Sequence, residues 1–225
     1  MDRAIEPELM IDPDQVEAYS DADFSDANDS HVSAFDRYFP DAPDRADVLD
    51  LCCGPGDVTL RFARAHPGWN IHGIDGSRAM LERADSASRR MSIDRARWVE
   101  ATLPDCALPL PTYHILLCTG ALHHFHRPVD LWSTIRRAAR PGSLVFVVDF
   151  FRPASTERAR QLVERHAAGA PPVLQQDFYN SLCAAFTPDE VRKQLDEQGL
   201  DRLVIECVSD RHQIVAGRIP GCGEP

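Results

Sequence analysis

From residue 46 onward the chain alternates short apolar runs with segments of helical spacing. The runs at 46–51, 70–74, 97–100, 113–118 and 143–150 have the length and nearly continuous apolar character of buried strands. Parallel strands covered on both faces have this character, because each is followed by a crossover helix. The pattern therefore predicts an α/β fold around a parallel sheet. The intervening helices are expected at 57–66, 77–91 and 129–139.

Two segments do not follow this alternation and are expected to add helices to the sheet. Residues 8–40 hold five aromatic side chains among many acids, which indicates a helical cap packed on the core. Residues 153–187 form an insert after the fifth strand, with helical stretches at 158–166 and 178–185 on either side of a turn at 168–173. We expect both segments to lie above the carboxyl ends of the strands, where open α/β sheets bind ligands.

The end of the chain has the features of a capped helix followed by two strands. Thr187, Pro188 and Glu190 are typical of a helix start, and Gly199 is typical of a helix end. The β runs at 202–208 and 212–216 predict an antiparallel hairpin at one edge of the sheet. One domain over residues 1–225 is expected, made of the cap at 8–40, a core at 46–150, the insert at 153–187, and the last helix and hairpin at 188–217.

The charge of the chain is concentrated at its start. The net charge is −11, and residues 1–50 carry 15 acidic and 3 basic side chains, so the remainder is nearly neutral. There is one lysine, Lys193, and no cluster of basic residues. Because affinity for a nucleic-acid backbone comes from neutralising many phosphates, no nucleic-acid partner is expected.

The sequence also predicts a reduced, cytoplasmic protein without a membrane partner. Residues 1–15 carry acids where a signal peptide needs a basic start and an apolar run. The longest apolar stretches are far shorter than the ~20 residues that span a bilayer. The chain has seven cysteines, from Cys52 to Cys222. Their number is odd and none of them forms a C-x-x-C pair, so neither a disulfide framework nor a zinc site is indicated.

The strand at 46–51 continues into a glycine turn with the sequence VLDLCCGPGDVT, at residues 48–59. Gly54 and Gly56 allow the backbone to turn sharply and to approach a ligand closely. A dinucleotide site would have the pattern G-x-G-x-x-G, but Thr59 stands in place of the third glycine and Pro55 removes a backbone amide. Together with the carboxylate of Asp50, which suits an ammonium or sulfonium, the turn argues against NAD and favours a cationic nucleoside.

This turn and the segments after it resemble the motifs of class I S-adenosylmethionine-dependent methyltransferases. VLDLCCGPG resembles the first motif of the family, and IHGIDGS resembles the motif of the second strand. VEATLPD, YHILLCTGALHHF and RPGSLVFVVDF follow in the order that the family has. The resemblance covers roughly residues 46–150 and 188–217. Within the family, the chain looks similar to ubiquinone- and menaquinone-pathway methyltransferases. It implies a Rossmann-like, seven-stranded, mostly parallel sheet with a reversed C-terminal strand, and S-adenosyl-L-methionine as the cofactor.

The resemblance also implies which residues contact the cofactor. The carboxylate of Asp75 would accept hydrogen bonds from the two ribose hydroxyls. Ala101 and Thr102 fall where the family places the edge of the adenine, and residues 118–120 would face the methionine part. Cys52 departs from the family, which has glycine at that position. The expected contacts are Tyr19, Asp50, Cys52, Gly54, Gly56, Asp75, Gly76, Ala101, Thr102, Cys118 and Thr119.

Three histidines after the fourth strand are candidates for chemistry on the acceptor. A histidine close to the methyl group could remove a proton from an acceptor at neutral pH, which makes His123 and His124 catalytic candidates. Together with His126 they could instead ligate a metal ion, or one could pack beneath the loop. No carboxylate at a suitable spacing accompanies them, so no metal site is expected.

The insert supplies a second set of candidates. Asp149 and Arg152 follow the fifth strand, and Tyr179 and Asn180 lie in the second helical stretch of the insert. An aromatic lid with few polar groups suits a small-molecule pocket, although the aromatics could equally form the insert's own core. Tyr179 therefore joins the catalytic candidates, and Asp149, Arg152 and Asn180 are expected in the acceptor pocket. Phe24, Arg211 and His212 could border the same opening.

The sequence as a whole predicts an S-adenosylmethionine-dependent methyltransferase that acts on a small-molecule acceptor. The chain lacks the D/N-P-P-Y/F motif of enzymes that methylate the amines of DNA bases, so that class is disfavoured. Two alternatives remain open at this point. One is an enzyme that uses S-adenosylmethionine for chemistry other than methyl donation, and the other is a non-catalytic module that binds the cofactor.

Overall fold

A twisted sheet of seven strands forms the centre of the computed structural model, which describes residues 1–10 and 12–221. Ile11 of the expected cap, and Cys222, lie outside the described residues. The strand order is β3-β2-β1-β4-β5-β7-β6, with β7 antiparallel to both of its neighbours and the pairs among β1 to β5 parallel. The predicted Rossmann-like, mostly parallel sheet with a reversed C-terminal strand is confirmed. The strands are β1 (Ala46–Leu51), β2 (Trp69–Asp75), β3 (Ala96–Glu100), β4 (Tyr113–Thr119), β5 (Ala139–Phe150), β6 (Val204–Cys207) and β7 (His212–Arg218).

Eight α-helices within the described residues cover this sheet and its carboxyl edge. The expected helices of the core, the insert and the last segment are present, and the cap folds into two helices. The helices are α1 (Pro13–Asp21), α2 (Ser25–Tyr38), α3 (Asp57–Ala65), α4 (Arg78–Arg90), α5 (Val129–Ala138), α6 (Thr156–Ala167), α7 (Pro172–Ala184) and α8 (Pro188–Glu197).

The start of α7 differs from the sequence-based expectation. The residues at 168–173 were expected to form a turn, but the helix already begins at Pro172. A proline in the first helical turn costs no hydrogen bond, because the first amides of a helix have no partner within it. The consecutive prolines therefore begin α7 instead of delaying it, which brings Leu174 and Asp177 into the helix.

The alternation of side chains along the strands divides the core into two layers. On one face of the sheet, Val48 and Phe146 pack against α2 and α3. On the other face, Leu49 and Val147 pack against α5 and α8, with Trp132 fully buried among them. Because neighbouring residues of a strand point to opposite faces, both layers are built from every central strand.

The insert and the cap meet above the carboxyl edge of the sheet. Helices α6 and α7 pack on each other through a small apolar cluster that includes Leu162 and Leu182. Helix α1 packs against both α4 and α7, so the cap and the insert lie on the same side of the sheet, as expected. None of the helices in the described part of the chain has both the length and the apolar character that crossing a bilayer requires.

The anchor of the cap on the sheet is the ring of Phe35 in α2, and its truncation should destabilise the fold. Phe35 is fully buried, and its ring centroid lies 5.4 Å from those of Phe62 and Trp69 and 5.5 Å from that of Phe146. We expect Phe35→Ala to lower the free energy of unfolding by about 3–5 kcal/mol, measured by urea titration, because it leaves a cavity among these three aromatic rings. The control is Phe24→Ala, at a side chain 37% exposed, which should cost much less. Equal losses in both variants would contradict this packing role.

Candidate active site

A cleft of about 1260 Å³ opens above the carboxyl ends of β1, β2, β4 and β5. Its walls are the turn after β1, the end of β2, the loop after β4, and parts of α1, α2 and α7. In the strand order β1 lies beside β4, and the chain continues from β1 to β2 on one side and from β4 to β5 on the other. The cleft therefore lies where the connections leave the sheet in opposite directions. Ligands of open α/β sheets bind at this point.

The turn after β1 presents its backbone to the cleft. Cys52 and Gly54 both have left-handed backbone conformations, with φ of 57° and 54°. A Cβ atom added to Gly54 would meet nothing within 4 Å, so this glycine faces open space. Gly56, with φ of 80°, has a different role, because an added Cβ would lie 2.7 Å from the ring of Trp98. Gly56 therefore allows the turn to pack on β3, and it does not line the cleft.

Asp75 at the end of β2 faces the cleft. Its Oδ2 accepts a hydrogen bond of 2.8 Å from the amide of Gly54, and its Oδ1 accepts one of 2.8 Å from the amide of Ser77. Burial raises the pKa of Asp75, and hydrogen bonds from backbone amides offset this only in part. The amide of Gly76 also hydrogen-bonds to this carboxylate, and of the four lone pairs on its two oxygens at least one is left for a ligand. Ala101 and Thr102 line the cleft beside it.

Asp50 was expected to face the ligand, but the structure places it elsewhere. Its side chain lies on the same face of β1 as Val48 and is directed beneath α3, where its Oδ2 accepts a hydrogen bond from the hydroxyl of Thr59. It is 1% exposed and does not line the cleft. Burial raises the pKa of Asp50 to about 6. The alternation of side chains along β1 explains why Asp50 points beneath α3, because side chains two residues apart in a strand share a face.

The structure brings eight of the eleven expected cofactor contacts to the cleft. Cys118 does not line the cleft. Its thiol is buried in the core layer that contains Leu49, where it hydrogen-bonds with the thiol of Cys52. Asp50 and Gly56 are the other two. The eight that line the cleft are Tyr19, Cys52, Gly54, Asp75, Gly76, Ala101, Thr102 and Thr119.

His123 is held rigidly at the edge of the cleft by Asp149. One oxygen of Asp149 lies 2.6 Å from Nδ1 of His123, and the other accepts a 2.6 Å hydrogen bond from the backbone amide of the same residue. Both side chains are buried and both residues line the cleft. Burial lowers the pKa of His123, but the charge of Asp149 and its hydrogen bond, with a contribution from Glu6, raise it more, so the net pKa lies above the ordinary value. Asp149 therefore orients an imidazole at the cleft.

Residues 1–10 contribute site residues that the sequence analysis did not identify. The guanidinium of Arg3 donates hydrogen bonds to the carbonyls of His123, at 2.8 Å, and Phe125, at 2.9 Å. The carboxylate of Glu6 lies 3.3 Å from Nε2 of His123 and 3.4 Å from Nδ1 of His124. In the sequence these residues belong to a generally acidic segment, and no local pattern shows that they contact a loop more than 110 residues away.

Three of the expected acceptor-side residues do not reach the cleft. Arg152 donates a 2.8 Å hydrogen bond to the carbonyl of Ala185 and forms a 2.6 Å ion pair with Glu190, so it joins the insert to α8. The ring of Tyr179 lies against Arg160, 5.8 Å from its guanidinium carbon. The amide oxygen of Asn180 accepts a hydrogen bond from Gln176.

Helical periodicity explains the positions of Tyr179 and Asn180. The residues of α7 that line the cleft are at 174, 177, 178 and 181, which is the i, i+3, i+4, i+7 face of one helix. Positions 179 and 180 fall outside that face. Phe178, one residue before Tyr179, is the aromatic of α7 that faces the cleft.

The far half of the cleft has an aromatic wall. The ring centroid of Phe150 lies 5.2 Å from that of Phe178 and 5.0 Å from that of His212, on which it stacks. The rings of His31 and His212 meet edge to face at 6.0 Å. Burial lowers the pKa of His31 to about 4 and the pKa of His212 to about 3, so both rings are neutral near pH 7. This half of the cleft therefore has an aromatic wall whose imidazoles are uncharged near pH 7.

Comparison with known proteins identifies the architecture. Residues 48–142 match a family model described as a methyltransferase domain. This match covers less than half of the chain. Over 146 residues, 65% of this chain and 50% of the relative, the chain is 28% identical to an uncharacterized methyltransferase, YcgJ, of Bacillus subtilis. Over 113 residues, 49% of each chain, it is 30% identical to a 2-phytyl-1,4-naphtoquinone methyltransferase of Nostoc punctiforme.

Solved structures share the fold of this chain over nearly its whole length. A SAM-dependent methyltransferase from Aquifex aeolicus aligns with a TM-score of 0.68 and 14% identity, over 93% of this chain and 100% of that one. The plantazolicin methyltransferase BpumL in complex with SAH aligns with a TM-score of 0.67 and 15% identity, over 92% and 91% of the two chains. At these identities the similarity shows the fold. The chain spans about half the length of the curated relatives that it matches.

The neutral histidines of the aromatic wall should make the fold sensitive to acid. The pKa values of His31 and His212 in the folded chain lie below the ordinary value of about 6.5, so the unfolded chain binds more protons below that pH. The charged groups near the pair are Arg211, Asp149 and Asp210.

We therefore expect stability to fall as the pH decreases from about 6.5 towards 4, and we expect His31→Gln with His212→Gln to reduce this slope. Urea unfolding of the wild type and the double variant at a series of pH values measures the difference. Parallel curves for the two proteins would show that these rings do not contribute.

Proposed function

We propose that this chain is a methyltransferase that transfers the methyl group of S-adenosyl-L-methionine to a small-molecule acceptor. The observation that carries the proposal is the pairing of Asp75 with Gly54 in the cleft of a core that matches a methyltransferase-domain model. This pairing places a carboxylate with at least one free lone pair beside a glycine that faces open space. Such an arrangement suits a ribose with two adjacent hydroxyl groups.

The residues of the cleft fit this cofactor. Asp75 would hold the ribose, Ala101 and Thr102 border the same wall, and Thr119 lies at the end of β4, towards His123. The volume of about 1260 Å³ exceeds the range of about 300–1,000 Å³ that is usual for a single small ligand. The cleft is therefore large enough for the cofactor and a second small molecule together.

Methyl transfer depends more on positioning than on a catalytic residue. When bound, S-adenosylmethionine supplies a methyl group already activated by the adjacent sulfonium. The protein must orient the acceptor and exclude water, and α1, α2 and α7 enclose the cleft for this purpose. His123 is the group best placed to hold a proton at the cleft, because Asp149 fixes the orientation of its ring.

The aromatic wall supports an acceptor with a flat, apolar part. Phe150, Phe178 and the neutral rings of His31 and His212 form this wall on the side of the cleft away from Asp75. Apolar walls with few polar groups are typical of sites for small molecules. One relative with similar sequence is named for a naphthoquinone, which has a flat and largely apolar ring system, whereas another is named for trans-aconitate, a small polar acid.

Loss of the Asp75 carboxylate should weaken cofactor binding. We expect Asp75→Ala to reduce the affinity for S-adenosylmethionine by about 1.5–3 kcal/mol, because it removes charge-assisted hydrogen bonds to the ribose. Asp75→Asn, which keeps the volume and one acceptor, should have a smaller effect. Titration calorimetry measures both, and Asp94→Ala, an exposed acid outside the cleft, is the matched control. Binding of NADH without binding of S-adenosylmethionine would refute the proposal.

The two neighbouring aromatics of α7 allow a test of the acceptor wall. With a reduced naphthoquinone and trans-aconitate as trial acceptors, formation of S-adenosylhomocysteine measures turnover, and mass spectrometry shows whether the acceptor gains a methyl group. We expect Phe178→Ala to lower kcat/KM by about tenfold or more, with cofactor affinity unchanged, because this ring faces only the acceptor half of the cleft.

Tyr179→Phe is the control, since Tyr179 points away from the cleft, and it should retain turnover. Equal losses of turnover in the two variants would contradict the assignment of the wall. Consumption of the cofactor without a methylated product would favour an enzyme that carries out other chemistry with S-adenosylmethionine.

A further inference from the structure

Glu6, His123 and His124 direct three potential metal-ligand atoms towards one point beside the cleft. These atoms all lie within 4.8 Å of one another. The sequence predicts no metal site here, because no carboxylate lies at a suitable spacing from the histidines. In the folded chain that carboxylate is Glu6, from a segment more than 110 residues earlier.

The spacing of the atoms matches a small coordination sphere. Oε1 of Glu6 lies 3.3 Å from Nε2 of His123 and 3.4 Å from Nδ1 of His124. Tetrahedral Zn²⁺ has bonds of about 2.0–2.2 Å to nitrogen and oxygen, and its ligand atoms are therefore about 3.3–3.6 Å apart. The two distances from Glu6 therefore match such a sphere, and all three ligand atoms lie within 4.8 Å of one another.

Glu6 needs a partner that the described residues do not supply. Its Oε1 is buried, and no hydrogen-bond donor of the described chain satisfies it, although a hydroxyl, that of Ser181, hydrogen-bonds to the carboxylate. A buried carboxylate oxygen without a partner is costly, and coordination to a cation is one of the few ways to satisfy it. The same oxygen is the atom shared by both short distances to the histidines.

Asp149 has the position of an outer-shell group for such a site. It binds Nδ1 of His123 at 2.6 Å, which directs Nε2 of the ring towards Glu6. Histidines that ligate metals commonly donate their other ring N–H to a carboxylate in this way, which fixes the tautomer and the orientation of the ring. The carbonyl of Pro7 lies 3.1 Å from Nδ1 of His124 and adds a further oxygen beside the point.

We propose that Glu6, His123 and His124 form a binding site for a divalent transition-metal ion of the Zn²⁺ type. Two imidazoles and one carboxylate favour Zn²⁺ over Mg²⁺, which prefers oxygen ligands. His124 lines the cleft with a side chain 24% exposed, so an ion can enter from that side. The guanidinium of Arg3 donates a hydrogen bond to the carbonyl of His123, and its positive charge opposes a further cation at the site.

The exchange of protons for metal follows from the ligands. Without the ion, a proton on Nδ1 of His124 can be donated to the carbonyl of Pro7, and Nε2 of His123 lies 3.3 Å from Oε1 of Glu6 without a well-aligned hydrogen bond to it. Coordination requires a lone pair on each of these nitrogens. The neutral ring of His124 supplies it by carrying its one proton on Nε2 instead, whereas a proton on Nε2 of His123 leaves to the solvent as the metal binds. The bound ion then connects residues 1–10 to the loop after β4.

The test uses the whole chain, treated with a chelator and then titrated with Zn²⁺ by calorimetry and with Co²⁺ by visible absorption. We expect one ion per chain, the strong absorption of tetrahedral Co²⁺, and release of protons to the buffer. Glu6→Gln and His124→Ala should each weaken binding at least tenfold. Zn²⁺ should raise the thermal unfolding midpoint of the wild type but not that of Glu6→Gln, because an ion that binds only the folded chain stabilises it.

The matched controls are Glu8→Gln and His126→Ala, a carboxylate and an imidazole from the same two segments that lie outside the cluster. Both should bind Zn²⁺ as the wild type does. No saturable binding by the wild type, or equal losses in Glu8→Gln and Glu6→Gln, would overturn the proposal. Circular dichroism checks that each variant is folded. Titration of the same samples with S-adenosylmethionine reports on the proposed activity separately, because the metal site does not include Asp75 or Gly54.

Discussion

The buried carboxylate of Asp149 is the interaction on which the site depends. A charge in this position is tolerated only if it is fully hydrogen-bonded, and Asp149 receives the backbone amides of His123, at 2.6 Å, and Phe150, at 2.7 Å, as well as the ring of His123. These bonds attach the loop after β4 to the end of β5. Arg3 and Glu6 in turn contact that loop, so the position of residues 1–10 follows from the same carboxylate.

The cleft combines two parts with different origins. The polar part is formed by the ends of β1 and β2, where short turns follow directly from the strands and leave little freedom. The aromatic part is formed by Phe150 together with side chains from α2 and α7, which belong to the cap and the insert. A fold built in this way can keep one half of its cleft constant while the helices above the sheet determine what the other half accepts.

Most of the fold could be predicted from the sequence because its signals are local. Apolar runs of strand length, the capping residues of α8 and the glycine turn each depend on a few neighbouring residues. Asp75 could be found for the same reason, since it ends a strand. The position of Asp50 was also predictable in principle, because it lies two residues after the core residue Val48 and so on the same face of β1, beneath α3.

The helical face of α7, with Phe178 towards the cleft and Tyr179 away from it, depended on the true start of the helix at Pro172. Glu6 and Arg3 could not be found, because their contacts arise from tertiary packing alone.

The hydrogen bond from Arg3 to the carbonyl of His123 joins residues 120 positions apart. Closing so long a loop has an entropic cost that only an already assembled sheet can offset, so contacts of this kind are expected to form late in folding. The cleft therefore acquires its full wall only when the chain has completed its topology. A ligand that needs this wall binds the finished fold and no earlier intermediate, so its binding energy adds to the stability of the whole chain.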